Sequence, residues 1–181
     1  WFVIGCYPKG IDKLVETVAA ELRIAGFFAK TSEDVMPYKW GKLMSNLNNA
    51  IGAITDAWGD EVNQLSRAAQ KELNDALAQA GIRWVSQEQV GQEMPEINAP
   101  LRGSFDPGGS STWQSLAREQ GSVETEFLNG EVVRLAKRPG RQAPVNEMLV
   151  RISQEMAAKH ERPGKYTPAQ LLAQVASSQS A

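Results

Sequence analysis

The sequence predicts an all-α fold: a bundle of six or seven helices with one short strand at its N-terminus. Three observations lead there. Apolar residues recur at helical spacing through most of the chain. Gly26 and Gly81 stand where two of those stripes end. Only Trp1-Phe2-Val3-Ile4-Gly5 reads as a continuous apolar strand. With 181 residues, the chain is long enough to bury one good core and a small appendage.

The opening strand needs a partner, because a lone buried strand leaves backbone groups unpaired on both edges. The nearest candidate is Phe27 to Lys30. One reading is a short edge strand in a small sheet; the favoured expectation, since the chain opens without Met on a strand already in progress, is that Trp1 lies inside a larger α/β domain.

A first helix is expected from Ile11 to Ile24, with Ile11, Leu14, Val15, Val18, Leu22 and Ile24 as its stripe. A second, from Pro37 to about Thr55, buries Trp40, Leu43, Met44, Leu47, Ile51 and Ile54. A third starts with Asp60 as N-cap and runs to Ala80, turning in Val62, Leu65, Ala69, Leu73 and Leu77. Ile82 to Val85 has no clear period. Met94 to Ser111, rich in proline and glycine, reads as a long loop. Helices resume at about Thr112–Glu119, Val123–Lys137 and Pro144–His160, and the closing Ser-Ser-Gln-Ser-Ala reads as a frayed tail.

Composition excludes several function classes. The formal net charge is -2 and no Lys/Arg block stands out, so neither nucleic acid nor a membrane surface is expected as a partner. No apolar run approaches the roughly 20 residues that span a bilayer. Trp1 to Cys6 is too short for a signal-peptide core and lacks a basic start. One cysteine, Cys6, allows no internal disulfide and fits the cytoplasm. One histidine, His160, far from Cys6, leaves no triad, zinc cluster or Cys/His dyad.

Three segments carry chemistry. Lys42, Asn46 and Asn49 are spaced i, i+4, i+7 and share one helix side, opposite the apolar stripe. Gly41, Ser45, Gly52 and Ala53 flank them, which leaves room for a ligand. An ammonium and two amides suit a small carboxylate or carbonyl compound, although a solvated outer face has the same spacing. Next, Gly108-Gly109-Ser110-Ser111-Thr112-Trp113-Gln114 combines permissive glycines with a helix cap, either Ser110 or Ser111. It has no dinucleotide or P-loop glycine pattern. The third segment is Glu124-Thr125-Glu126-Phe127-Leu128-Asn129-Gly130-Glu131. Glu124 and Glu131 are expected on one helix face. A mid-helix Gly130 costs about 1 kcal/mol and so calls for a packing or functional reason.

Taken in order, Lys39-Trp40-Gly41-Lys42-Leu43-Met44-Ser45-Asn46, Ser110 to Leu116, and Glu124 to Gly130 with Pro144-Val145-Asn146 resemble the ketopantoate reductase (2-dehydropantoate 2-reductase) family. The resemblance covers roughly Val3 to Gln154. It implies a helical C-terminal domain of the 6-phosphogluconate-dehydrogenase-like type, joined to an N-terminal Rossmann domain that binds NADPH. Residues 1–8 would then end the nucleotide-binding domain, 9–165 form the substrate domain, and 166–181 a short helix and tail.

The roles implied are specific. Lys42 matches the general acid that protonates the substrate carbonyl as hydride arrives. Asn46 matches a substrate-binding asparagine, and Ser111 the serine that holds the carboxylate. Glu124 matches the carboxylate that contacts both substrate and nicotinamide. The family often carries a second asparagine four residues after the first; Ala50 stands there, and Asn49 keeps to the Lys42 side. A further polar ligand of some members would fall near Asp60, and Ser110 is the alternative to Ser111 for the serine that holds the carboxylate.

The implied function is NADP-dependent reduction of ketopantoate to pantoate in pantothenate and coenzyme A biosynthesis, or reduction of another 2-oxo acid. The partners are the 2-oxo acid, the nucleotide domain and, in an oligomer, a second copy. The alternative is a non-catalytic helical dimerisation module, which predicts no ligand-sized cleft beside Lys42.

Overall fold

The computed structural model describes residues 1–98 and 109–179, and it is helical with one small strand pair, as the sequence predicts. Among the described residues no helix is long and apolar enough to cross a membrane. The chain divides into two compact units: residues 1–43 with 82–98, and residues 44–81 with 109–179.

In the first unit, β1 (Phe2–Ile4) pairs in parallel with β2 (Ala29–Thr31), Phe2 opposite Ala29 and Ile4 opposite Thr31. Parallel strands need a crossover, and α1 (Lys13–Ile24) supplies it. Asp12 caps α1 by accepting from the Val15 N–H at 2.8 Å. The stripe expected of α1 is not buried as a whole. Val15 and Ala19 are buried, whereas Leu14 is 69% and Ile24 79% exposed. Trp1, Phe2, Phe27 and Phe28 also stand out on this unit.

The helix expected over Pro37 to Thr55 is two helices, α2 (Met36–Asn46) and α3 (Asn48–Thr55), meeting at Leu47. Gly41 is not space for a ligand. An added Cβ there would lie 1.8 Å from the Val85 carbonyl oxygen, so glycine lets two backbones touch. Val85 also donates its N–H to the Pro37 carbonyl at 3.0 Å. Helix α5 (Gln87–Glu93) was not expected. A capping box, Ser86 with Gln89, starts it, and Val85, Val90 and Met94 form its small core. Pro95–Asn98 is a 3-10 turn, and the rest of the expected long loop, 99–108, lies outside the described residues.

The second unit holds the main core. In α4 (Asp60–Gln79), Leu65, Ala69, Leu73 and Leu77 are buried, as the stripe predicts. Asp60 is the first helical residue rather than the N-cap; Gly59 holds that place. Ala53, expected beside the polar side of Lys42, is fully buried. Helices α6 (Ser111–Ala117), α7 (Asn129–Lys137), α8 (Pro144–Ala158) and α9 (Pro168–Gln179) complete the unit. Leu149, Ile152, Met156 and Leu171 join α3 and α4 in one cluster, each buried side chain contributing about 1.5–3 kcal/mol.

The helix expected over Val123–Lys137 breaks at Leu128. Glu124–Phe127 is a 3-10 turn, and α7 starts at Asn129. Gly130 is thus a first-turn residue without the mid-helix cost, and Glu124 and Glu131 do not share a helix.

A buried polar network ties α4, α7 and α8 together. Asn129 and Asn146 are both fully buried, and Asn129 Nδ2 donates to Asn146 Oδ1 at 2.9 Å. Asn146 Nδ2 donates to Glu72 Oε2 at 2.7 Å and to the Ala69 carbonyl at 3.0 Å. The Glu72 carboxylate accepts the Val145 and Asn146 N–H groups at 2.9 and 3.0 Å, filling two donors at the start of α8. Burial raises the Glu72 pKa above the ordinary carboxylate range despite those donors.

Candidate active site

Within the second unit, three segments far apart in sequence meet. Ser110 is the N-cap of α6 and accepts from the Trp113 N–H at 3.2 Å. Its own hydroxyl donates to the Asn49 carbonyl oxygen at 3.2 Å, joining α6 to α3. One residue on, the Ser111 hydroxyl donates to Glu124 Oε2 at 3.4 Å. Both Ser111 and Glu124 are exposed, so the pair presents a hydroxyl and a carboxylate to solvent.

Gly109, just before this pair, has φ +73°, and an added Cβ would lie 2.6 Å from the Trp113 ring. Only glycine satisfies both demands. Asn46 and Asn49 are half-buried, and an added Cβ on Gly52 would meet nothing within 4 Å. The other carboxylates are occupied elsewhere. Glu126 pairs with Arg134 at 3.1 Å and accepts from Gln154 at 3.0 Å, and Glu131 pairs with Arg134 at 2.9 Å. Asp60 lies in the first turn of α4, where a negative charge favours the helix dipole.

Within the first unit, Lys42 is exposed and lines a depression of about 330 Å³. Trp1, Phe2, Val3, Val35, Tyr38 and Lys39 form the rest of it. That volume is within the range of small-molecule sites. Tyr38 is held from behind: its hydroxyl donates to Glu93 Oε2 at 2.5 Å and accepts from Lys30 Nζ at 3.2 Å. Lys30 also pairs with Glu93. The Lys30 ammonium, then Tyr38, holds the Glu93 carboxyl below its ordinary pKa. Burial and the neighbouring carboxylate push the Tyr38 phenol up.

The structure therefore joins Ser111 to Glu124, and Ser110 to Asn49. Lys42 and Asn46 sit one turn apart on α2. Among the described residues no cluster of His, Cys, Asp and Glu could hold a metal ion. Sequence reasoning missed the Asp56–Trp113 bond, in which Trp113 Nε1 donates to Asp56 Oδ1 at 3.0 Å. It also missed the Lys30–Tyr38–Glu93 group. Neither has a local sequence signal, since the partners come from distant segments.

Residues 34–157 match the family model described as ketopantoate reductase PanE/ApbA C terminal. The chain belongs to the ketopantoate reductase family. It carries the family's helical C-terminal domain. It is similar to a 2-dehydropantoate 2-reductase of Pyrococcus horikoshii, 27% identical over 81% of this chain and 49% of the relative. The chain thus spans about half the length of the curated relatives it matches. Among solved structures, a PanE/ApbA family ketopantoate reductase from Ralstonia eutropha JMP134 is similar, with TM-score 0.63 and 26% identity. That match covers 82% of this chain and 50% of the other. A D-mandelate dehydrogenase solved with NADH shares the fold at 16% identity, with TM-score 0.68 over 88% of this chain and 55% of its own.

Proposed function

We propose that this chain is the substrate-binding half of an NADPH-dependent 2-dehydropantoate 2-reductase. It would reduce ketopantoate to pantoate in the cytoplasm, on the route to pantothenate and coenzyme A. The observation that carries this reading is the joining of Ser111 to Glu124, two residues singled out for the site and 13 positions apart, across two elements. The depression beside Lys42 speaks for a ligand site and against a plain dimerisation module.

Each residue has a task. Lys42 holds a proton on Nζ and passes it to the carbonyl oxygen as the carbonyl carbon is reduced, leaving a 2-hydroxy acid; solvent then restores the ammonium. Asn46 and Asn49 orient the carbonyl and carboxylate with their amides. The Ser111 hydroxyl donates to the carboxylate. Glu124 accepts from Ser111 and would also accept from a substrate hydroxyl or the cofactor carboxamide. When bound, NADPH supplies the hydride.

The main nucleotide site belongs to an N-terminal Rossmann domain. Support for such a partner comes from the aromatic and aliphatic side chains left exposed on β1, α1 and the approach to β2. The test is a turnover assay on the full-length protein with NADPH and a panel of 2-oxo acids. The proposal expects ketopantoate to give the highest kcat/KM and the isolated 181-residue chain to be inactive. A preference for another 2-oxo acid would move the substrate assignment, and no reduction of any would overturn the proposal. An active isolated chain would overturn the dependence on a nucleotide domain.

A further inference from the structure

We infer that Asp56 and Trp113 are a positioning pair that fixes the Ser110–Ser111 turn against α3, and through it the carboxylate end of the bound 2-oxo acid. This rests on the role proposed for Ser111.

Asp56 follows the last residue of α3 and has φ 45°, a left-handed conformation that Asp and Asn tolerate better than most side chains. Its N–H closes the helix on the Gly52 carbonyl at 2.9 Å. The next two carbonyls, of Ala53 and Ile54, accept from the Gly164 and Tyr166 N–H groups, both at 3.2 Å. Asp56 therefore projects from a helix end whose carbonyls are already filled, a fixed support.

From that support Asp56 Oδ1 takes the indole N–H of Trp113 at 3.0 Å. Trp113 is half-buried and packs against the core of the second unit. It meets the turn at two further points. Its ring lies against Gly109, and its backbone N–H donates to Ser110 Oγ at 3.2 Å. Ser110 in turn donates to Asn49. Ser111 is the next residue and bonds Glu124 at 3.4 Å. The chain of support runs from α3 through the carboxylate and the indole to the turn, and returns to α3. Neither Asp56 nor Trp113 needs to touch substrate; both set where the Ser111 hydroxyl stands.

A hydrogen bond to a carboxylate weakens steeply as its distance and angle leave the ideal. If Ser111 binds substrate and transition state alike, loosening it raises KM and leaves kcat nearly unchanged. Three variants of the full-length protein separate this from a general loss of packing. Trp113→Phe keeps a ring over Gly109 and removes the indole N–H. Asp56→Gly removes the acceptor and suits φ 45°. Asp56→Asn keeps both the acceptor and the tolerance of that φ.

Trp113→Phe and Asp56→Gly are expected to raise KM for the 2-oxo acid about ten-fold, with kcat within about two-fold of wild type. The two combined should be no worse than the worse single variant, because they remove one bond. Asp56→Asn should restore KM to within about two-fold. The second readout is amide hydrogen exchange in the same proteins. Exchange over residues 110–113 should quicken in Trp113→Phe and Asp56→Gly and return to normal in Asp56→Asn. Unchanged KM in an active enzyme, or unchanged exchange, overturns the inference. Were the wild type to reduce no 2-oxo acid, the role of Ser111 would fall, and exchange alone would still decide whether the pair holds the turn.

Discussion

Helices α1 and α4 carry stripes of the same kind and meet different fates. In α4, Leu65, Ala69, Leu73 and Leu77 are each 1% exposed or less. In α1, Leu14, Val18 and Ile24 are 69%, 40% and 79% exposed. The sequence signal is equally helical in both, because periodicity reports that a face is apolar and says nothing of what covers it. Helix α4 finds α3, α8 and α9 within its own unit, and α1 has mainly β2.

The contrast can be broken by mutation of the 181-residue chain, in order of expected size. Leu73→Ala should cost about 2–5 kcal/mol of unfolding free energy in denaturant titration, as expected for a buried leucine with a cavity left behind. A cost under about 1 kcal/mol would mean that α4 is no better packed than α1. Asn146→Ala should cost about 1–3 kcal/mol, because it removes the buried hydrogen bonds that Asn146 makes with Asn129, Ala69 and Glu72. A neutral result would show that water replaces it there.

A smaller effect is expected from pH. The folded pKa of Glu72 is raised by burial, so the folded protein binds this proton more tightly than the unfolded chain. Its contribution is fully present below the ordinary carboxylate pKa and is lost as pH rises through the folded value. The stability of wild type relative to Glu72→Gln should therefore fall from about pH 4.5 upward and then level off. A difference that rises with pH would mean that the hydrogen bonds from Val145 and Asn146 outweigh burial. The smallest effect is Leu14→Ala, within about 0.5 kcal/mol for a side chain already in water. A cost matching that of Leu73→Ala would show the α1 face to be covered in solution.

Much of the fold was legible because its signals are local. The α4 stripe, the Ser110 cap and Pro144 at the start of α8 each act within one turn. The break at Leu128 was not, because a 3-10 turn over Glu124–Phe127 differs from an α-helix only in spacing three against four, which apolar periodicity does not resolve over four residues. Helix α5 shows no apolar stripe, because Val90 is its one apolar side chain, and only the Ser86–Gln89 capping box marks it. At the site, Lys42, Asn46, Ser111 and Glu124 could be singled out by resemblance, whereas the Ser111–Glu124 contact needed the fold. Asp56 and Trp113 stand 57 positions apart and pair only after α3 and α6 pack.

The most direct test of the account is the kcat of Lys42→Ala in the full-length protein, measured with NADPH and saturating ketopantoate. Loss of the proton donor should lower kcat about 10²- to 10⁴-fold, with the protein still folded. Near-normal turnover would contradict the assignment of Lys42 as general acid and, with it, the reading of this chain as the catalytic partner of a nucleotide-binding domain.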